Sequence, residues 1–178
     1  MVSLVMELPW CWFGAATERG RLIRTYLAGS RSQLEWLVIT GSSGSAEDEE
    51  LLQRLQAEVR AYTRGVPARF EGYHLEWGHC SDLSRRVWCR TQTIPWGSVR
   101  SYKWVAQGAG TRGYRAVGQI MGRNPFPLIV PCHRVVRHDG RLGGFGAGGD
   151  LKVHLLEHEG TRIKSGRVAG PAKFRRER

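Results

Sequence analysis

A possible reactive centre lies in residues 131–136, written PCHRVV. Cys132 becomes a strong nucleophile once its thiol loses a proton, and His133 beside it offers a base that titrates near pH 7. Arg134 adds positive charge, so we expect these neighbours to favour the thiolate. A cysteine that only fills space in a core is the alternative, because free cysteines often pack as small hydrophobic residues.

The position of the histidine predicts how it would serve the cysteine. We expect residues 131–136 to be extended, so that the side chains of Cys132 and His133 point to opposite sides and meet only through a bridging water. A third group is then needed to orient the imidazole. The last predicted helix, which we expect Asp150 to cap and Gly160 to end, brings acids such as Glu159 to its C-terminal end.

The other cysteines indicate neither a disulfide framework nor a metal site. Cys11, Cys80, Cys89 and Cys132 show no CxxC spacing, and their density is far below that of a disulfide-rich scaffold. His79 next to Cys80 is the one metal-like cluster, and chance explains it better. We expect no metal and no cofactor. No apolar run approaches the roughly 18 residues that a membrane span needs, so we expect an intracellular protein that does not contact a membrane.

The charge is divided unevenly along the chain. Residues 1–78 carry 8 Lys and Arg against 10 Asp and Glu, whereas residues 79–164 carry 14 against 5 and residues 165–178 carry 5 against 1. This distribution favours two domains, of which the second is basic, and a basic tail that we expect to be disordered. A basic half suggests a polyanion such as nucleic acid, with a merely soluble surface as the alternative.

The N-terminal half predicts a small antiparallel sheet covered by one helix. Apolar runs at residues 10–16 and 22–28 flank a turn, TERGR, and residues 33–40 follow as a third strand. After a GSSGS linker, Ser45 and Asp48 form a capping box for an amphipathic helix whose acidic start, EDEE, we expect to be solvated. No catalytic constellation is found here, so this half is expected to be structural.

The C-terminal half resembles a helix-turn-helix. A helix over residues 81–90 precedes two shorter helices, residues 101–107 and 114–123, that a glycine-rich turn joins. The second helix has an apolar face and an outer face of Arg115, Gly118, Gln119 and Gly122, which is too small to read base edges extensively. It therefore predicts close approach to a nucleic acid backbone; a packed helix pair without that role is the alternative.

Several segments together carry a family resemblance: PCHRVV, the upstream IPWGSVRSY and YRAVGQIMGRNP, and the downstream AGGDLKVHLLEHEG. They resemble the signature of the O6-alkylguanine-DNA alkyltransferases, also called methylated-DNA–protein-cysteine methyltransferases. The likeness covers residues 83–160, while residues 1–78 share only the family's general layout. It implies an α+β fold: a ribonuclease H-like sheet and helix in residues 1–78, then a mostly helical, winged-helix-like domain that binds DNA and accepts the alkyl group.

The resemblance implies a single-use repair reaction. The alkyl group of O6-alkylguanine, and of O4-alkylthymine, would pass irreversibly to Cys132 after the nucleotide is flipped out of the duplex. His133 matches the water-linked base, Glu159 the acid that orients it, and Asn124 the residue that ties the recognition helix to the active-site turn. Tyr102 matches the tyrosine that donates to the guanine N3 edge. Further residues implied to contact the substrate are Val135, Gly146, Phe145, Pro127 and Lys152.

The implied partner is double-stranded DNA bound through its minor groove by a monomer. Arg115 matches the arginine that fills the stack after the base leaves, and the remaining implied DNA contacts are Tyr102, Ser101, Tyr114, Ala116, Gly118 and Gln119. The sequence departs from the family pattern at Leu83, Tyr114 and Phe145, where phenylalanine, a small residue and tyrosine are frequent. A cytoplasmic location, or a nuclear one in a eukaryote, is expected.

Three other classes of protein are alternatives. Alkyltransferase-like proteins share the scaffold and bind damaged bases without repairing them, but they lack the cysteine that Cys132 supplies. A thiol hydrolase would need a direct contact between cysteine and histidine, which adjacent positions disfavour. A helix-turn-helix regulator would normally carry longer base-reading side chains.

Overall fold

The computed structural model describes residues 1–40 and 44–169, with the backbone alone at residues 38–40. The chain forms two compact units, one of Met1–Gly78 together with Pro125–Ile129, and one of His79–Asn124 together with the chain from Val130 onward. The sequence analysis assigned residues 79–164 to the second domain without interruption. The structure corrects this assignment, because residues 125–129, called the excursion, belong to the first unit. In the described residues, no helix has the length and apolar character to cross a membrane.

The first unit is built on a three-stranded antiparallel sheet. Its strands are β1 (Val2–Glu7), β2 (Trp12–Glu18) and β3 (Arg21–Ala28), in the order β1-β2-β3. Arg19 and Gly20 both adopt positive φ, 54° and 69°, as a two-residue hairpin turn requires. The apolar runs predicted β2 and β3, but the sequence analysis missed β1.

The predicted third strand is helical in the structure. Residues Arg31–Leu34 form a 3-10 turn that leads into helix α1 (Glu35–Thr40). Leu34 and Leu37, three residues apart, are both buried against Ala16 and Ala28 of the sheet. The prediction of a strand here is wrong because a spacing of three puts these leucines on one face of a helix, whereas a strand would point them to opposite faces.

Helix α2 (Ala46–Thr63) covers the sheet and begins where the capping box predicts. The Ser45 side chain accepts a hydrogen bond from the Asp48 backbone N–H at 3.2 Å. The Asp48 carboxylate accepts from the backbone N–H groups of Arg19 and Gly20, at 3.2 and 2.9 Å. Asp48 is therefore buried rather than solvated, and it holds the β2–β3 turn against the start of α2.

The excursion Pro125–Ile129 is hydrogen-bonded to β3. Thr25 donates its backbone N–H to the Pro125 carbonyl at 3.0 Å and its hydroxyl to the Pro127 carbonyl at 2.8 Å. The Phe126 ring is fully buried and packs edge-on against Trp77, with ring centroids 5.3 Å apart. These contacts explain why a short segment between two parts of the second unit belongs to the first.

The second unit is mainly helical and contains a short parallel strand pair. Its helices are α3 (Asp82–Gln92), α4 (Tyr102–Gly108), α5 (Tyr114–Gly122) and α6 (Gly149–His158). Strand β4 (Arg100–Ser101) pairs with β5 (Val135–Val136) beside a core of Val99, Val136 and Leu156. Gly148, not Asp150, is the N-cap of α6, and Asp150 lies in the first turn.

A final hairpin corrects the predicted tail. Strands β6 (Ile163–Lys164) and β7 (Arg167–Val168) pair antiparallel, so residues 165–168 are not a disordered extension. The Val168 backbone N–H donates to the Gly140 carbonyl at 2.9 Å, which joins the hairpin to the turn after β5. The linker residues 41–43 and the tail residues 170–178 lie outside the described residues.

Candidate active site

Cys132 begins a 3-10 turn, Cys132–Arg134, that leads directly into β5. The Arg134 backbone N–H donates to the Pro131 carbonyl at 2.9 Å, so the predicted extended conformation of this segment is wrong. Asn124, just after α5, donates its side-chain amide to the Cys132 Sγ at 3.1 Å and to the Val130 carbonyl at 2.8 Å. One amide thus links the end of α5 to the thiol.

The thiol is protonated at neutral pH. Burial raises the pKa of Cys132, although the Asn124 amide and the Lys152 ammonium oppose that effect. The expectation that its neighbours favour a resting thiolate is therefore wrong. Arg134 does not offset the burial, because its guanidinium is directed to another partner. A base must remove the proton before Cys132 can act as a nucleophile.

Behind the thiol lies a buried cluster of His133, Arg134 and Glu159. The Glu159 carboxylate lies 2.8 Å from the His133 Nε2 and accepts two hydrogen bonds from Arg134, at 2.8 and 2.9 Å. It also accepts the Gly97 backbone N–H at 3.3 Å, and Arg134 donates to the Ile94 carbonyl at 2.7 Å. Burial alone would raise the pKa of Glu159, but His133 and Arg134 hold it well below its usual range. The carboxylate is therefore ionised.

These contacts fix which nitrogen of His133 can act as a base. Burial lowers the pKa of His133, and the Glu159 carboxylate only partly opposes this, so the imidazole is neutral at pH 7. An ionised carboxylate only accepts hydrogen bonds, so the proton must sit on Nε2. The Nδ1 atom is buried and has no hydrogen-bond partner within residues 1–40 and 44–169. Its lone pair is thus free to accept a proton.

Lys152 is a second buried cation, on the face of α6 that packs against β5. Its ammonium donates to the Val135 carbonyl at 2.7 Å, the Leu142 carbonyl at 2.6 Å and, more weakly, the Gly144 carbonyl at 3.5 Å. Burial lowers its pKa to about 8, so the group is still largely charged at pH 7. The contacts tie the glycine-rich loop to the active-site strand.

The thiol opens into a cavity of about 870 Å³ that lies entirely within the second unit. Burial raises the pKa of Tyr102, as does the nearby Cys132, whereas the charge of Arg137 lowers it. A Cβ atom at Gly143 would lie 3.1 Å from the Tyr102 hydroxyl, and Gly143 has a φ of +72°. Glycine is therefore the residue that fits this loop conformation so close to Tyr102. The cavity is lined by Tyr102, Lys103, Tyr114, Arg115, Gly118, Met121, Gly122, Cys132, Arg137, His138, Gly143, Gly144, Phe145 and Gly146.

Helix α5 presents the small outer face that the sequence predicts. Cβ atoms built at Gly118 and Gly122 meet nothing within 4 Å, so this face is open. Tyr114, Arg115 and Gln119 are exposed, and Ala116 is half-buried beside them. On the opposite face Val117 and Met121 are buried. The helix therefore offers an open surface that a flat or grooved partner can approach closely.

Two predicted contact residues have other positions in the fold. Ser101 is buried, and its hydroxyl accepts the Trp104 backbone N–H at 3.0 Å, which caps α4. Pro127 belongs to the first unit, where its carbonyl accepts from Thr25. Their contacts with DNA and substrate stay predictions. The structure assigns a cap and a sheet contact instead.

Sequence reasoning missed several residues that shape the site. It noticed Arg134 only as a positive charge, whereas the structure makes it the main partner of Glu159. It placed Met121 only in the apolar face of α5 and did not consider Lys103, Arg137 and His138, whereas all four line the cavity. The apolar pattern of α5 could have flagged Met121. No pattern in the sequence indicates that the turn after β5 places Arg137 and His138 in the same cavity as the Cys132 thiol.

Comparison with known proteins finds related sequences and structures. The family model described as "6-O-methylguanine DNA methyltransferase, DNA binding domain" matches residues 82–161. The methylated-DNA–protein-cysteine methyltransferase of Methanothermobacter thermautotrophicus is 40% identical over 113 residues, 64% of this chain and 64% of that protein. The one from Methanosarcina barkeri is 35% identical over 120 residues, 66% of this chain and 74% of that protein.

Solved structures extend the similarity over most of the chain. The crystal structure of Mycobacterium tuberculosis OGT in complex with DNA has a TM-score of 0.73 at 30% identity, covering 89% of this chain and 92% of that one. The O6-methylguanine-DNA methyltransferase from Pyrococcus kodakaraensis has a TM-score of 0.62 at 26% identity, covering 89% and 98%. The sequence match to the M. thermautotrophicus protein spans slightly less than two thirds of that protein.

Proposed function

Because the chain belongs to the methylated-DNA–protein-cysteine methyltransferase family, we propose that it repairs DNA by taking the alkyl group of O6-alkylguanine onto Cys132. The observation that carries the proposal is that the buried Cys132 lines the cavity, that His133 Nδ1 has no partner among the described residues, and that the ionised Glu159 holds the opposite nitrogen, Nε2. The same chemistry would apply to O4-alkylthymine. No cofactor is needed, since the thiol is itself the acceptor.

The reaction begins with removal of the thiol proton. His133 Nδ1 accepts it through a bridging water, and Glu159 stabilises the imidazolium that forms by accepting from Nε2. The Cys132 thiolate then attacks the alkyl carbon, so that a C–S bond forms as the C–O6 bond breaks. The Tyr102 hydroxyl donates a proton to the guanine, which leaves as a neutral base, and the imidazolium of His133 gives up the proton taken from the thiol through water, so that Tyr102 and His133 both return to their neutral forms.

The product explains why each molecule acts once. Sulfur and carbon are joined in a thioether, which has no carbonyl for water to attack, unlike the thioester of a cysteine hydrolase. His133 therefore has no second step to catalyse. The protein is a stoichiometric acceptor, and the number of repaired lesions equals the number of protein molecules consumed.

Helix α5 binds the DNA next to the cavity. The O6 carbon is hidden inside a duplex, so the nucleotide must rotate out at a cost of a few kcal/mol. Arg115 fills the vacated place in the base stack, and the open face of Gly118 lets the helix enter the minor groove. Backbone contacts come from Tyr114, Ala116 and Gln119, with Tyr102 at the mouth of the pocket and Ser101 behind it.

The extruded base is held by backbone groups and by the glycine-rich loop. The carbonyls of Cys132 and Val135 accept the exocyclic amine of guanine. The Val135 carbonyl already accepts from Lys152, but a carbonyl oxygen has two lone pairs. The Gly146 N–H donates to O6, and Phe145 packs on the base. Lys152 acts by ordering the loop, and Pro127 stays a predicted substrate contact.

The proposed function also implies a fold for each domain, an oligomeric state and a cellular location. The three-stranded sheet with α2 is the core of a ribonuclease H-like domain. Helices α4 and α5 with the adjoining short strands form a winged-helix-like domain. The protein acts as a monomer on double-stranded DNA, in the cytoplasm or, in a eukaryote, in the nucleus.

Label transfer tests the proposal directly. An oligonucleotide with O6-methylguanine labelled in the methyl group should pass label to the intact protein and reach a plateau at or below one group per molecule. Cys132→Ala should abolish the transfer while DNA binding persists, because the groove contacts lie on α5. Cys89→Ala, which changes an exposed cysteine, is the matched control and should transfer normally.

Three results would contradict the proposal. Normal labelling of Cys132→Ala would place the acceptor elsewhere. Continued turnover with excess substrate would mean that the product is not a stable thioether. Binding of the lesion by the wild-type protein without any transfer would make the chain an alkyltransferase-like damage binder, in spite of its cysteine.

A further inference from the structure

Arg137 stands at the mouth of the cavity, on a turn that the mechanism above does not use. It directly follows β5, and its backbone is fixed by two hydrogen bonds across the turn: Arg137 N–H to the Arg141 carbonyl at 2.8 Å and Gly140 N–H to the Arg137 carbonyl at 2.9 Å. The side chain is exposed and lines the same cavity as Cys132 and Tyr102. Its position is therefore set by the fold even though its guanidinium is open to solvent.

Among the residues that the structure describes, no carboxylate forms an ion pair with the guanidinium of Arg137. The nearest acid along the chain, Asp139, pairs with Arg141 at 3.5 Å, and the Asp139 carbonyl accepts from Arg167. The one acid of the turn is thus engaged with other cations, and Arg137 is left free for an anion.

The guanidinium also lies close enough to the Tyr102 hydroxyl for its charge to act on that group. The positive charge of Arg137 opposes the burial that raises the pKa of Tyr102. The tyrosine hydroxyl and the guanidinium therefore face a common space at the entrance, between the thiol and solvent. A ligand that enters with its base toward Cys132 would leave its sugar and phosphate in that space.

We propose that Arg137 binds a phosphate of the extruded nucleotide and so holds the damaged base in the cavity. This inference rests on the proposed function. Only the phosphate groups of an alkylated nucleotide are anionic, and a guanidinium pairs with phosphate in a two-pronged, charge-assisted contact. Arg115 and Arg137 then have separate roles. Arg115 fills the gap in the base stack of the duplex, whereas Arg137 binds the extruded nucleotide and holds it in the cavity.

Small substrates of graded size test this without any duplex. The probes are O6-benzylguanine, its 2′-deoxynucleoside, and the nucleoside 3′- and 5′-monophosphates. For each protein the second-order rate constant of each monophosphate is divided by that of the nucleoside, so that general changes in the pocket cancel. The wild-type protein should prefer at least one monophosphate by roughly tenfold, as a charge-assisted contact implies.

The matched variants are Arg137→Gln and Arg141→Gln, which remove neighbouring charges from the same turn. Arg137→Gln should bring the ratio close to one, whereas Arg141→Gln, whose guanidinium pairs with Asp139, should keep the wild-type ratio. Arg137→Lys should give an intermediate ratio because an ammonium cannot make the two-pronged contact. A ratio near one for the wild-type protein, or an unchanged ratio in Arg137→Gln, would overturn the inference. Failure of the wild-type protein to react with any probe would instead refute the proposed function.

Discussion

The buried cluster of His133, Arg134 and Glu159 and the outer face of α5 lie in the same unit and are built in opposite ways. In the cluster every residue is at most 5% exposed, and four donors converge on one carboxylate. On α5 the glycines leave open space, and Tyr114 is 47% exposed. In the first region the charged groups satisfy one another, and within the described residues only the Nδ1 of His133 lacks a partner, whereas the second region leaves open space for a ligand.

The contrast teaches where function and stability are coupled. A change in the cluster alters both the fold and the chemistry, because the same contacts serve both. A change on the outer face of α5 has no packed neighbours to disturb, so it should alter only DNA binding. Four experiments test this separation, in order of expected effect.

Glu159→Gln should have the largest effect. It removes the ionised partner of a buried arginine, and breaking a buried ion pair in this way costs about 3–5 kcal/mol of unfolding free energy. Chemical denaturation measures this loss. Transfer from O6-benzylguanine should also fall, because the amide no longer stabilises the imidazolium of His133.

Asp139→Asn is the control for that substitution, since it removes a carboxylate from an exposed arginine pair. It should leave both stability and transfer at wild-type values. Similar unfolding curves for the two variants would show that the cluster is no more important to the fold than a surface pair.

Gly118→Val should weaken duplex binding by roughly tenfold or more, or about 1.4 kcal/mol. The added methyl groups project into open space on the DNA-facing side, so the fold should be as stable as before. Fluorescence anisotropy with a duplex measures the binding, and transfer from free O6-benzylguanine serves as the reference. A large loss with the free base would mean that the substitution damages the cavity and not the approach of DNA.

Arg115→Ala should slow repair of a paired lesion roughly tenfold, because the flipped state loses its substitute stacking partner. A mispaired lesion should be slowed less, and the free base, which needs no flipping, should be slowed least. Single-turnover rates at saturating protein make the comparison. Equal slowing of all three substrates would assign Arg115 to the pocket or the fold.

The pH dependence should show the smallest effect. Because the pKa of His133 is lowered, Nδ1 remains able to accept a proton below pH 6.5, and transfer should decline only at more acidic pH. The unfolding free energy should also begin to fall below about pH 6.5, because the unfolded chain takes up a proton on His133 more readily than the folded chain does. A second loss should follow below about pH 4.5, where Glu159 gains a proton in the unfolded chain while the folded carboxylate is still charged.

Rates on O6-benzylguanine between pH 5 and 8, with circular dichroism at each pH, separate the two processes. His138→Gln, at an exposed histidine of the cavity, should leave the decline in place. A decline centred above pH 6.5, or one that disappears in His138→Gln, would assign the titration to a group other than His133.

The sequence predicted the elements whose patterns are local. The period of α5 identifies its buried and open faces, and Ser45 with Asp48 marks the start of α2, because both signals need only a few neighbouring residues. Residues 33–40 were misassigned because the apolar residues there suggest a strand, and only the sheet that buries Leu34 and Leu37 together shows that both must lie on one face, as a helix requires. The choice depends on a tertiary contact.

The site was predictable in its residue types but not in its electrostatics. Family resemblance singled out Cys132, His133, Asn124 and Glu159, which the structure brings together. Adjacent positions suggested that Arg134 favours the thiolate, whereas the fold turns this arginine toward Glu159 and buries the thiol, so the thiol stays protonated. Burial and the direction of a side chain arise from distant segments, and no local pattern encodes them.

The excursion of Pro125–Ile129 into the first unit makes the two units inseparable by a single cut. The backbone passes between them at residues 78–79, 124–125 and 129–130, and the last passage lies two residues before the acceptor cysteine. A protease that cleaved after Gly78 would still leave Phe126 inserted beside Trp77 and the Pro127 carbonyl bonded to Thr25. The two fragments should therefore stay bound to each other after the cut. A shortened protein of residues 79–178 would contain residues 125–129 without the strand β3 to which they are hydrogen-bonded.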